Sequence, residues 1–250
     1  MLSAADLRRC GRDGYLLVRK ALTRAETAAF VAAVERIAAL PPRPGREMLY
    51  YEDSKTEAGR RILSRIEKFA DPGEPLAAFL SGGSLLALVE SVLGEPAVLF
   101  KEKVNFKLPG GGGFEPHQDI QPGWDDYAPY FLSVAVALDE ATAENGCLEL
   151  APGQHRRGWL GERWKPLTPQ QTAGMRFAAV EMAPGDAVLF DCFVPHRSGP
   201  NLSGQPRRVL YATYNRARDG DHRERYFADK RASYPPDNER EPGKTYIYRV

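Results

Sequence analysis

From Pro96 onward the chain changes character, and that change does most to limit its fold. Six short segments follow one another: "AVLFKEKVNF", "YFLSVAVAL", "CLELAP", "FAAVEM", "AVLFDCF" and "RRVLYATYN". Each is β-branched or alternating in polarity, and each is bounded by Pro, Gly, Asn or Asp. No helical period separates them, which speaks against βαβ units and for an antiparallel sandwich or barrel. "APGD" at residues 183–186 supplies a tight turn between two of the segments.

The first 95 residues read as helical. Ser3 with Asp6, and Thr23 with Glu26, have capping-box spacing. Ala28, Phe30, Val31, Val34, Ile37 and Ala38 recur near the helical period. "GYLLV" (14–18) reads as a short strand between these helices, and "PLAAFL" and "SLLALVESVLG" as two more helices, the second closed by Gly94. Residues 217–250 are polar and proline-containing and are expected to wrap the surface. The expected organisation is one domain: a helical layer over 1–95, a β core over 96–216 and a C-terminal extension over 217–250.

A net charge of +1 offers no electrostatic case for nucleic acid or an anionic membrane as partner. The cysteines, Cys10, Cys147 and Cys192, are odd in number and scattered, which argues for a reducing compartment. The first residues carry charges where a signal peptide needs an apolar stretch, and no run of about 18 apolar residues is expected to span a membrane. The expected location is cytoplasmic, with a small-molecule substrate; the oligomeric state stays open.

"FEPHQDIQPGW" (114–124) carries the chemistry, directly after Gly110–Gly113. If 116–120 is extended, His117 and Asp119 share one face and Gln118 takes the other. A third ligand is needed, and His155, His196 and His222 are the candidates. His155 sits in a turn and His222 in a charged, solvated stretch. His196 follows the strand "AVLFDCFV" and is favoured. Two histidines and a carboxylate form the facial triad of non-haem iron(II) oxygenases; zinc fits less well because its catalytic sites keep one open position. A 2-oxo acid can chelate such an iron and leave a position for dioxygen. Its far carboxylate then needs a fixed cation, and Arg207, eleven residues after His196, could be returned there by a hairpin, with Arg208 on the opposite face.

Other residues admit two readings. Lys101, Lys103, Asn105 and Lys107 share one strand face. Lys103 and Asn105 are read as functional, Lys101 and Lys107 as a solvated edge. In "GWDDYAPY", Trp124, Tyr127 and Tyr130 form either a packed aromatic loop or a lid over the substrate, so Trp124 and Tyr127 join Lys103 as candidate substrate contacts. His117 with Asp119 could also be an exposed loop pair, and a cupin-type isomerase, lyase or binding protein is the alternative function. Such a protein would not need Arg207.

With these residues in hand, the chain closely resembles the phytanoyl-CoA dioxygenase (PhyH) family, iron(II)- and 2-oxoglutarate-dependent oxygenases on a double-stranded β-helix (jelly-roll, cupin-like) fold. "RDGYLLVRKALT", "NFKLPGGGGFEPHQD", "ENGCLELAPGQH" and "PHRSGPNLSGQPRRVLYATY" carry the resemblance, in the family's order and over most of the chain. It implies that His117, Asp119 and His196 bind iron, that Arg207 holds the distal carboxylate of 2-oxoglutarate with help from Ser198, and that Asn105 contacts the same co-substrate. It further implies hydroxylation of an unactivated C–H bond with dioxygen, releasing succinate and carbon dioxide. Related halogenases replace the metal-binding carboxylate by a small residue; Asp119 is present here, so hydroxylation is implied. The family's "PGSH" reads "PGQH" in this chain, within what looks like a turn. Family substrates include acyl-CoA thioesters, amino acids, ectoine, aminoalkylphosphonates and natural-product intermediates. The lysine face and aromatic loop favour a small polar or zwitterionic metabolite, an aminoalkylphosphonate among the possibilities.

Overall fold

The computed structural model describes residues 2–246. The first third holds α1 (Ala4–Asp13), β1 (Tyr15–Val18), α2 (Arg24–Ala39), β2 (Met48–Asp53), β3 (Arg61–Glu67), α3 (Pro75–Leu80) and α4 (Gly83–Leu93). Both expected capping boxes form: Ser3 caps α1 with Asp6, and Thr23 caps α2 with Glu26. Gly94 closes α4 at φ 72°, a left-handed conformation that suits a residue without Cβ. Beyond it run β4 (Ala97–Lys107), β5 (Phe114–His117), β6 (Leu132–Ala137), β7 (Leu148–Leu150), α5 (Pro169–Thr172), β8 (Ala178–Val180), β9 (Ala187–Asp191), β10 (His196–Ser198), β11 (Arg207–Arg216) and α6 (Arg223–Ser233).

The strands make two antiparallel sheets, ordered β1-β9-β6-β11-β4-β3-β2 and β5-β10-β7-β8, the double-sheet arrangement of a jelly roll. Alternation divides the larger sheet into two faces. Val104 and Phe106 of β4, Leu132, Val134 and Val136 of β6, and Leu210, Ala212 and Tyr214 of β11 pack beneath α2, α3 and α4. Ala135, Ala137, Val188, Phe190 and Val209 turn inward against Leu148 and Leu150 of the small sheet. Burying each large aliphatic side chain contributes about 1.5–3 kcal/mol, so the strands are fixed in register before any site residue is considered.

Three expectations need correction. Beyond the expected strand β1, the first 95 residues hold β2 and β3, which extend the large sheet, and β3 pairs with β4. The tail does more than wrap the surface, since α6 buries Tyr226 and Phe227 beside Phe100 and Trp124, and Arg223 reaches the wholly buried Glu102. Finally, Leu76–Leu93 is an 18-residue stretch of mean hydropathy 1.8, a run apolar enough to span a membrane by composition. The helix breaks at Ser81 and Gly82, however, where Gly82 is extended. Leu76, Leu80, Leu85 and Val89 pack into the helix-side core, so at least part of this hydropathy serves the domain interior.

Candidate metal and co-substrate site

β5 lies beside β10 and puts His117 directly opposite His196, with ring centroids 4.2 Å apart. The strand stops at His117, so Asp119 projects from the following turn rather than from an extended 116–120 segment. Even so, one ligand atom from each of His117, Asp119 and His196 lies within 4.8 Å of the others. Neither His155 nor His222 joins them. His155 sits in a short 3-10 turn, its ring close against Gly14. His222 is partly buried rather than solvated, packed near Tyr127 and bonded to the Asp219 carbonyl.

Local bonding prepares these side chains for a cation. The Nδ1 of His117 faces the Glu115 carbonyl at 2.7 Å, and that of His196 faces the Val194 carbonyl at 3.0 Å. A carbonyl only accepts, so each Nδ1 carries the proton and each Nε2 presents a lone pair. His196 Nε2 is 3.6 Å from Asp119 Oδ1. The other carboxylate oxygen accepts from Ser133 Oγ at 2.6 Å, and Ser133 lies 3.0 Å from Thr213 Oγ1. Burial, with the neighbouring His196, pushes His117 down to about 3, and burial also lowers His196. Burial works to raise Asp119, but His196, Lys103 and His117 outweigh it and hold the carboxyl below its usual range. Two neutral imidazoles and an ionised carboxylate are the protonation states a divalent metal requires. This donor set fits iron(II).

Gln118 points away from the metal position, as strand parity requires, and is fully buried. Its amide donates to the Gly158 and Phe193 carbonyls and accepts from Leu160 N–H, so it ties three loops behind the site.

The co-substrate candidates gather along β4 and β11. Arg207 does not return by a hairpin: β10 belongs to the small sheet, and the chain crosses to the large sheet, where β11 pairs with β4 and β6. Arg207 is 1% exposed, donates Nη2 to the Gly146 carbonyl and leaves Nε without a partner. No carboxylate pairs with it among the described residues. Arg208 takes the other face and pairs with Asp139 and Glu35. Ser198 is buried and accepts a 2.7 Å bond from Lys107. Asn105 is buried with its Oδ1 unpartnered.

The solvated-edge reading of Lys101 and Lys107 is wrong. β4 is flanked on both sides by strands, and both lysines are buried. Lys107 sits cross-strand from Arg207 and donates to Ser198 Oγ and to the Gly146 and Gly199 carbonyls. Lys101 donates to Tyr226 Oη at 2.8 Å. Both were missed because charge was taken as a mark of solvent; their period-2 spacing with Lys103 and Asn105 was the available signal.

A narrow pocket, open to solvent, lies over the three candidate ligands; its walls include Lys101, Lys103, Asn105, Trp124, Ser198 and Tyr211. His117 and Phe114 also border a wider groove with Tyr50, Trp164 and Tyr234, which gives the cavity a route to the surface. Trp124 is packed rather than mobile in character, 3% exposed against Phe100 and Phe131. Tyr127 does not line the cavity; its hydroxyl donates to Asp229 of α6.

A family model described as phytanoyl-CoA dioxygenase (PhyH) matches residues 11–209. A 2-aminoethylphosphonate dioxygenase from an uncultured bacterium is 41% identical over 81% of this chain and 78% of its own. A methylphosphonate hydroxylase from Gimesia maris is 38% identical over 93% of this chain and 88% of its own. Among solved structures, EctD from S. alaskensis with 2-oxoglutarate and 5-hydroxyectoine superposes with a TM-score of 0.73 at 22% identity, covering 99% of this chain and 86% of that one. At that identity the likeness speaks for the fold.

Proposed function

Since the chain belongs to the phytanoyl-CoA dioxygenase (PhyH) family, we propose that it hydroxylates a C–H bond of a small phosphonate, using iron(II), 2-oxoglutarate and dioxygen. The observation that carries the reaction class is the convergence of His117, Asp119 and His196 on an open cavity, with both Nε2 lone pairs unused. The phosphonate reading is supported by two relatives, at 41% and 38% identity, both named for phosphonate substrates.

In this reading His117, Asp119 and His196 hold the iron, and Ser133 with Thr213 orients the Asp119 carboxylate. Arg207 receives the distal carboxylate of 2-oxoglutarate, with Ser198 and Asn105 beside it, and Lys107 adds a second cation. A buried guanidinium with a free Nε–H and no anionic partner among the described residues is a strong donor site for a carboxylate. Bound iron with 2-oxoglutarate and dioxygen supplies the oxidising chemistry: one oxygen atom enters the substrate as hydroxyl, the other enters succinate, and carbon dioxide leaves. The chain contributes position and exclusion of water. Trp124, packed on Phe100 and Phe131, walls one side of the cavity, and Leu148 closes another. A cupin-type isomerase or lyase would leave the Arg207–Lys107 cation pair without a purpose.

The test is direct. The protein, iron(II), 2-oxoglutarate and air are combined with 2-aminoethylphosphonate or methylphosphonate. A new phosphorus NMR resonance, formed one-to-one with succinate and absent in His117→Ala, is expected. Uncoupled succinate formation with neither phosphonate altered would discard the substrate while keeping the reaction class. No 2-oxoglutarate turnover at all would discard both.

A further inference from the structure

The inner face of β4 presents Lys101, Lys103, Asn105 and Lys107 in succession, spaced about 6.6–7 Å from one to the next along an extended strand. The Lys107 end stands with Arg207 and Ser198 and is occupied by 2-oxoglutarate in the reading above. The other end has cations and donors that still lack a ligand. The Lys103 ammonium makes no hydrogen bond or ion pair with any described residue; it lies 5.1 Å from the Tyr211 ring centroid and 5.8 Å from that of Phe114. It lines the same cavity as His117, Asp119 and His196, which places it beside the metal position. Lys101 spends one proton on Tyr226 Oη and has two more to give, with its ammonium 4.9 Å from the Trp124 ring. The Trp124 indole N–H is buried without a partner, on a residue that lines the same cavity. An unpaired buried donor costs about 1–3 kcal/mol, and native exceptions call for an explanation such as an absent ligand.

We propose that Lys103, Lys101 and the indole N–H of Trp124 form an anion clamp for the phosphonate head of the substrate, separate from the Arg207–Lys107 site. Three donors match three phosphonate oxygens. Two cations match the nearly two negative charges that such a group, like a phosphate monoester, carries at neutral pH. A carboxylate offers one charge and two oxygens and leaves one donor unused. Clamped at this end, the phosphonate directs its attached carbon toward the face shared by His117, Asp119 and His196.

This assignment rests on the phosphonate reading, and the test separates the two. Binding of 2-aminoethylphosphonate, and of β-alanine as its carboxylate counterpart, is measured by anaerobic calorimetry on the iron- and 2-oxoglutarate-loaded protein, for the unmutated chain and for Lys103→Met, Lys103→Arg and Lys101→Met. Lys103→Met is expected to weaken the phosphonate by about 30-fold or more, to erase most of its advantage over β-alanine and to leave 2-oxoglutarate affinity within about twofold. Lys103→Arg should recover most of the loss. Because Lys103→Met gives up only the contacts with the Tyr211 and Phe114 rings and sheds the cost of burying an ammonium, the empty variant should melt no lower than the unmutated protein. Should that variant fail to fold, Lys103→Gln serves in its place. Phosphonate affinity unchanged within twofold in the lysine variants overturns the clamp alone. An equal loss of 2-oxoglutarate affinity overturns the separation of the two anion sites. Failure of the unmutated protein to bind any phosphonate removes the substrate reading, and the clamp with it.

Discussion

Replacing Lys107 by Met should stabilise the empty protein and spoil 2-oxoglutarate binding, and both effects have one cause. Lys107 is 3% exposed and lies cross-strand from Arg207. Burial, then the Arg207 charge, pulls its ammonium from the ordinary 10.5 down to about 7. At 1.36 kcal/mol per pH unit that fall amounts to about 5 kcal/mol. At pH 7 the unfolded chain keeps the proton and the folded chain holds about half of it, so about 4 kcal/mol of cost remains. Against this stand the two groups the substitution strands, Ser198 Oγ and Gly199 O, at about 1.5 kcal/mol each, while Gly146 O keeps its bond from Arg207 Nη2. The substitution therefore gains about 1 kcal/mol, or about 2–4 °C in Tm for a chain of this size.

The pH dependence has a definite sign. Between about 7 and 10.5 the unfolded chain binds more protons than the folded one, so the stability of the unmutated protein rises with pH through that window. The Met variant lacks that contribution. Co-substrate affinity runs the other way: it falls as pH rises past about 7 and the ammonium is lost, and the Met variant starts about 30-fold or more weaker. Thermal melts of the empty protein from pH 7 to 9.5, with anaerobic 2-oxoglutarate titrations followed by the visible band of the iron chelate, measure both. A variant that melts lower yet keeps full 2-oxoglutarate affinity would refute the reasoning and make Lys107 a strut that pins the Ser198–Gly199 turn.

Three further outcomes are expected. Ser133→Ala removes the 2.6 Å bond to Asp119 and should lower iron affinity or turnover by about 10–100-fold, read by anaerobic metal titration against an unchanged melt. Asp119→Ala should abolish hydroxylated product in the phosphorus NMR assay; full product formation would take Asp119 out of the iron sphere. Gln118→Leu strands Leu160 N–H and the Gly158 and Phe193 carbonyls. At about 1–3 kcal/mol for each group it should lower Tm by at least about 6 °C; a smaller drop would mean that water replaces the amide.

Six of the eight strands after Pro96 were legible because turn residues bracket each one and the apolar residues alternate; β5 and β10, which carry His117 and His196, are three or four residues long and too short to show a period. The metal candidates were legible for a different reason: a chain with four histidines offers few ways to complete a triad around His117 and Asp119. Elsewhere, charge misled. β2 and β3 fall in a region read as helical, and the charges within "MLYYED" and "RILSRIE" hide their strand character. In the folded chain Arg65 and Glu67 are buried against each other at 2.8 Å, and Lys230 of α6 completes the pairing. The same substitution of partner for solvent hid α6, whose Arg223 pairs with Glu102 at 0% exposure.

These misreadings share a physical origin that β4 makes plain. A strand with Val104 and Phe106 on one face must bury that face, and α4 with its neighbouring helices does so. The other face carries Lys101, Lys103, Asn105 and Lys107, and periodicity alone reads it as facing water. Yet β4 is eleven residues long and lies between β3 and β11, so it is no edge in need of protecting charges. Four polar side chains on the inward face of a central strand must be paired or held for a ligand, because burial without either is costly. Lys101 finds Tyr226, Lys107 finds Ser198 and two carbonyls, Lys103 finds only the Tyr211 and Phe114 rings, and the Asn105 oxygen finds no partner among the described residues. The residues that the fold leaves unsatisfied lie beside the triad, on the wall that an anionic substrate and co-substrate must share.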